Sequence, residues 1–189
     1  MVVTDDDDLA DRARLLRSHG MTTLTWARHR GHASAYDVVT RGFNYRCDEV
    51  HAALGRVQLN RLSTATEARA RIAAHYRDAL QGRAGLLIPF GEVREGVSPA
   101  HHLAVVVLPD GASRDDVRAE LARRGVQTSV HYPPIHGFTA YAETGKRRAV
   151  PVTDAIAGRI LTLPLYAHMD DEQVELVIDG LLAAVAAGD

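Results

Sequence analysis

Gly42-Phe43-Asn44-Tyr45-Arg46-Cys47-Asp48-Glu49-Val50 is where the texture of this chain changes. Before it, residues 20–43 are rich in Thr, Arg, His and Gly and hold no sustained hydrophobic period, so they read as one long loop. After it, Val50, Ala53, Leu54 and Val57, then Leu62, Ile72, Tyr76 and Leu80, supply an apolar helical stripe. Asp48 is a good N-cap and Gln81-Gly82 a good stop, so the spacing predicts one helix over 48–80. At 1.5 Å per residue such a helix is about 45 Å long. That exceeds a small core, so the helix bridges two domains or bends.

On the N-terminal side, Val2-Val3 is a very short strand candidate without a partner in its own segment. Asp5 to Asp8 open a helix carrying Leu9, Ala13 and Leu16, with the acids where the helix dipole favours them. That helix stops near Ser18-His19-Gly20, where Gly suits the left-handed cap. On the C-terminal side the elements are short. Strands are predicted at 86–88, 102–108 and 126–130. A helix opens at Ser113 and closes at Gly125, and another runs from Thr153 to Ile160 until Pro164 blocks it. Asp170 with Gln173 caps a last helix bearing Val174, Val177, Ile178, Leu181, Leu182 and Val185. The pattern is α/β: residues 1–60 read as a piece of something larger, 61–83 as a connecting helix and 84–189 as a small α+β domain. No internal repeat is present.

Composition narrows the function. The chain has 189 residues with 22 Lys+Arg and 24 Asp+Glu, a formal charge of −2, which disfavours a strongly basic nucleic-acid binder. With 46% hydrophobic and 24% charged residues, 15 Gly and 7 Pro, it is neither collagen-like nor low-complexity. Cys47 is the sole cysteine, so no intrachain disulfide or Cys-rich zinc site forms. No apolar run reaches membrane-span length, and the acidic N-terminus is unlike a signal peptide. The expectation is a cytoplasmic protein with no membrane or nucleic-acid partner. Lys146 is the only lysine, so a mechanism needing a Schiff-base lysine has one candidate.

Several ordered motifs carry a family resemblance. Arg17-Ser18-His19-Gly20, Tyr36-Asp37-Val38, Gly42 to Arg46, Asp48-Glu49, Ala52-Ala53-Leu54-Gly55 and Gln58-Leu59 resemble the second half of nucleotide-sugar aminotransferases of the DegT/StrS type. His131-Tyr132-Pro133-Pro134-Ile135-His136 and Leu161-Thr162-Leu163-Pro164-Leu165-Tyr166 match later motifs in order. Cys47 stands where the family often has Met. The resemblance implies the C-terminal part of a fold-type-I architecture: 1–60 a remnant of the large pyridoxal-phosphate-binding and dimerisation domain, and 84–189 the small domain. It implies a pyridoxal phosphate cofactor and amino transfer from glutamate to a keto-sugar nucleotide, in deoxysugar or polysaccharide biosynthesis. It also places the family's cofactor lysine, and the aspartate that pairs with the pyridine nitrogen, upstream of the matched region. Transamination needs both groups, so this polypeptide alone is expected not to transaminate. It would act as a homodimer, or as a heterodimer with a full-length aminotransferase or a missing N-terminal half. The alternative is a non-catalytic interaction subunit that completes a partner's site in trans.

By resemblance, Asn44 reaches the cofactor phosphate of a neighbouring subunit; otherwise it turns the backbone before the Asp48 helix. Arg46 offers a fork for a phosphate or carboxylate, or pairs with Asp48 or Glu49. His19 lines the approach to the site, or is a solvent-facing cap. His131 and Tyr132, held by the extended Pro133-Pro134 backbone, face the sugar nucleotide, or belong to a rigid turn. His19, His29 and His32 lack the carboxylate or cysteine spacing of a metal site. His101 and His102 alternate across a strand and cannot chelate together. Lys146, among Arg147 and Arg148, reads as an exposed loop lysine outside the family's lysine motif.

Overall fold

A computed structural model describes residues 2–22, 37–142 and 149–187. Lys146, His29, His32, Tyr36 and most of the long loop lie outside the described residues. The chain divides into two compact units, Met1–Asn60 and Arg61–Asp189.

In the first unit, helix α1 (Asp7–Leu16) starts where the Asp6 carboxylate accepts from Leu9 N–H, with Asp7 and Asp8 in the first turn. Helix α2 (Glu49–Leu80) starts at Asp48, whose Oδ1 accepts from His51 N–H at 2.9 Å. The α2 start lies where the Asp48 cap put it, and the α1 start falls within the acidic run expected to open that helix, with Asp6 as the capping residue. Val2 and Val3 do not form the expected strand: they are 71% and 86% exposed and pair with no described strand. Two residues without a neighbouring strand cannot close a ladder. Among the described residues of this unit only Ser18 and Gly20 are buried. Val50, Leu54, Val57 and Leu59 on α2 all remain exposed.

Burial on α2 begins in the second unit, with Ala68, Ile72, Tyr76 and Leu80 four residues apart on one stripe. Ile72, Tyr76 and Leu80 join a core of Leu86, Val106, Leu108, Leu121, Leu161, Leu163 and the inner face of the last helix. Strand β1 (Ala104–Val107) pairs antiparallel with β2 (Ile160–Leu163), Val106 opposite Leu161. Single bridges, Leu87 to Val107 and Ser129 to Thr162, extend this ribbon on either side. The strands expected at 86–88 and 126–130 are thus reduced to one bridge each, and that at 102–108 is shortened. Strand β2 was not foreseen. Its Leu-Thr-Leu run lies only two residues, Gly158-Arg159, beyond α5 and continues an apolar pattern that suits a helix as well, so its extended form comes from pairing with β1.

Helix α3 (Arg114–Arg123) is capped by Ser113 and followed by Gly125 at φ +81°, as expected. A single turn, α4, spans Thr139–Ala142. Helix α5 is Pro151–Ala157, so Thr153 lies inside it and does not cap it. Proline at the first helical position, with φ already set and no N–H to satisfy, sets the start instead. Helix α6 (Asp171–Ala186) has the Asp170–Gln173 capping box and buries Val174, Val177, Ile178, Leu181 and Val185. It packs on α3 at Gly180, where an added Cβ would come within 3.2 Å of Leu121 Cδ2.

Candidate functional site

The first cluster grows from a backbone contact. Residues 16–22 and 37–45 lie edge to edge: Phe43 N–H donates to Leu16 C=O, His19 N–H to Phe43 C=O (2.9 Å) and Tyr45 N–H to Arg17 C=O (2.9 Å). Two glycines permit this approach. A Cβ on Gly20 would sit 1.9 Å from Thr40 O, and one on Gly42 would sit 2.4 Å from Gly20 N. Gly20 also needs φ +73°.

This ladder brings together three of the residues singled out in the sequence. Ser18 bridges Asn44. Arg46 Nε donates to Asn44 Oδ1 at 2.9 Å, and Arg46 Nη2 lies 3.5 Å from His19 Nε2. All three side chains are exposed. A guanidinium only donates, so the Asn44 atom facing it must be the oxygen. The Asn44 amide therefore turns its two N–H bonds away from Arg46. Asn44 does not cap α2, a role Asp48 fills. Asp48 also meets His51 Nδ1 at 2.5 Å, and the bonds from His51 hold its carboxyl below the usual aspartate range. On alternate residues, Phe43 and Tyr45 stack with ring centroids 5.0 Å apart and planes within 9°.

The chemistry offered is an amide donor beside a fixed positive charge, which fits a phosphate. Lys146, the one lysine, is outside the described residues, so no described residue can attach the cofactor covalently.

His131 and Tyr132 lie in the second unit. Ser129 and Thr162 exchange two backbone bonds, Ser129 N–H to Thr162 C=O at 3.1 Å and the reverse at 2.8 Å. This puts half-buried His131 over β2, with Nδ1 3.1 Å from Thr162 Oγ1. Tyr132 is 68% exposed, its ring edge-on to His131 at 5.0 Å. Pro134 is extended (φ −62°, ψ 129°), and His136 Nε2 meets Asp154 Oδ1 at 2.7 Å, tying the turn to α5. His131 stands on a cleft of about 340 Å³ lined also by Tyr76, Arg77, Phe90 and His101. It borders a second, of about 160 Å³, lined by His102 and Thr162. His101 and His102 precede β1 and do not alternate within it, yet they line different clefts.

Thr162 went unremarked as a site residue in the sequence. The signal available was a hydroxyl inside an otherwise all-Leu run, at a position that proves 6% exposed. Among the described residues there is no His, Cys, Asp and Glu cluster able to hold a metal, and no helix long and apolar enough to cross a membrane.

Comparison with known proteins places this geometry. The family model for DegT/DnrJ/EryC1/StrS aminotransferases matches residues 1–182. The chain is 36% identical to the erythromycin biosynthesis sensory transduction protein EryC1 of Saccharopolyspora erythraea, over 96% of this chain and 46% of that protein. It is 33% identical to the spore coat polysaccharide biosynthesis protein SpsC of Bacillus subtilis, over 100% of this chain and 50% of that one. Spr1654 from Streptococcus pneumoniae, described as a sugar aminotransferase and solved in a PMP form, superposes with a TM-score of 0.84 at 28% identity. That match covers 98% of this chain and 47% of the other. The chain spans about half the length of the curated relatives it matches. The α/β fold read from the sequence, part of a sugar aminotransferase architecture, stands. The chain belongs to the DegT/DnrJ/EryC1/StrS aminotransferase family.

Proposed function

We propose that this chain forms the C-terminal portion of a pyridoxal-phosphate-dependent sugar aminotransferase that moves an amino group from glutamate to a keto-sugar nucleotide, in deoxysugar or polysaccharide biosynthesis. The observation that carries the reading is the Asn44–Arg46 pair, a donor-only arrangement of amide and guanidinium suited to a phosphate. Asn44 binds the cofactor phosphate. Arg46 and His19 flank it on the substrate side. His131 and Tyr132 contact the sugar nucleotide. When bound, pyridoxal phosphate supplies the electron sink and the amine carrier. The residues of this chain bind and orient; none of those described is a lysine able to hold the cofactor or move its proton.

The chain alone is therefore inactive. It pairs with a second copy of itself, with a full-length aminotransferase or with a polypeptide that supplies the half of the relatives it does not match, and turnover needs a partner that brings the cofactor lysine. A second reading, an interaction subunit lending Asn44 to a full-length aminotransferase, draws on the Met1–Asn60 unit. That unit buries only Ser18 and Gly20 among its described residues, and leaves Val50, Leu54 and Val57 exposed.

The test is to purify the chain, add pyridoxal phosphate, reduce with borohydride and map any adduct by mass spectrometry. The expected result is no pyridoxyl group on Lys146 and no turnover of a keto-sugar nucleotide with glutamate. Turnover by the chain alone, or a stoichiometric adduct on Lys146, overturns the reading. Retention by a full-length aminotransferase in a pull-down favours the interaction subunit.

A further inference from the structure

Thr162 is buried in the middle of β2, and its hydroxyl meets one polar side-chain atom among the described residues, His131 Nδ1 at 3.1 Å. A hydroxyl carries one proton and must place it. If Nδ1 carried a proton and donated to Oγ1, the threonine O–H would have no acceptor among the described residues and would turn to solvent in the cleft that both side chains line. If the threonine donates to Nδ1, both groups are satisfied by one bond. Nδ1 is then an acceptor, and the ring proton of neutral His131 sits on Nε2.

We propose that Thr162 is a positioning residue that holds His131 in the Nε2–H tautomer, so that the ring offers a single N–H donor to an acceptor oxygen of the ligand. The mounting is rigid. The Thr162 backbone is paired on both sides, to Val105 of β1 and to Ser129 across the bridge. One step along the chain from Leu163, the Pro164 carbonyl accepts from Tyr76 O–H at 2.9 Å, anchoring the strand end to α2. The ring therefore keeps its orientation without a ligand. The acceptor oxygens such a donor suits are the phosphate or hydroxyl oxygens of a sugar nucleotide, and that part rests on the function proposed above. The tautomer itself does not, since it is set by residues of this chain alone.

The experiment is long-range proton–nitrogen correlation spectroscopy on the 189-residue chain carrying ¹⁵N-labelled histidine, at a pH where His131 is neutral, with no cofactor added. The His131 signals are assigned by their loss in His131→Gln. The expected spectrum has His131 Nε2 protonated and Nδ1 bare, in the parent and in Thr162→Ser. In Thr162→Val, which keeps the shape and removes the hydroxyl, the preference for that tautomer falls by about tenfold, the worth of one hydrogen bond. A protonated Nδ1 in the parent, or an unchanged tautomer ratio in Thr162→Val, overturns the proposal. Should Thr162→Val not fold, the parent spectrum and Thr162→Ser decide: a serine variant that loses the preference also overturns it. A failed transamination reading leaves all of these outcomes untouched.

Discussion

Replacing Tyr76 with Phe removes one oxygen from the centre of the second unit. Tyr76 is 2% exposed, sits on the buried stripe of α2 and donates to the carbonyl of Pro164, 88 residues further on. The ring stays and no cavity of consequence opens, so the cost is that of one hydrogen bond and of a carbonyl left unpaired. That cost is about 1.5 kcal/mol. With an unfolding entropy of about 2.1 cal/mol/K per residue over about 130 residues, the melting temperature of this unit falls by about 5 °C. Thermal and urea unfolding of the full chain, followed by far-ultraviolet circular dichroism, measure it. The same side chain gives a pH signature. Burial raises the Tyr76 pKa above its ordinary value of 10.0. Above pH 10 the unfolded chain releases this proton while the folded chain keeps it. Stability is therefore undiminished below pH 10 and falls as pH rises toward the folded value, by about 1.4 kcal/mol per pH unit. In Tyr76→Phe that component of the slope disappears. A melting temperature within 1 °C of the parent, together with an unchanged alkaline slope, would refute the buried Tyr76–Pro164 bond.

Two further expectations concern the first unit. Gly42→Ala puts a methyl group 2.4 Å from Gly20 N and 2.7 Å from Leu16 O, backbone atoms that can yield only by separating the ladder. Amide hydrogen exchange at His19, Phe43 and Tyr45 should quicken by at least about tenfold, and protection equal to the parent's would count against the close approach. Leu54→Asp with Val57→Asp charges a face whose side chains are 60% and 48% exposed. If a partner covers that face, each residue contributes about 1–2 kcal/mol to association, so the pair of changes weakens it by about a hundredfold or more. Sedimentation over a dilution series, alone and with a full-length aminotransferase, reads this; a parent chain that stays a monodisperse monomer in both removes the covered-face argument.

How much was legible beforehand differs from element to element. The starts of α2, α3 and α6 were readable because a cap is a local event: Asp48, Ser113 and Asp170 each bond an N–H within three residues; the start of α1 was placed only to the acidic run Asp5 to Asp8, within which Asp6 is the cap. The start of α5 was misplaced at Thr153 because a residue with good capping chemistry competed with Pro151, and proline won by having its dihedral already set. The motif residues His19, Asn44 and Arg46 could be picked out, but not their meeting. His19 and Arg46 are 27 residues apart, and what closes the gap is the contact of Gly20 with Thr40 and Gly42, which no local pattern encodes.

Helix periodicity, capping chemistry, the single lysine and the order of the family motifs stood in the chain of letters, because each depends on neighbours a few residues away or on simple counting. Strand β2, the single-bridge remnants at Leu87 and Ser129, and the hydroxyl of Thr162 beneath His131 came only with folding. Pairing partners such as Val106 and Leu161 lie 55 residues apart, and a strand exists only once its neighbour supplies the other half of each hydrogen bond.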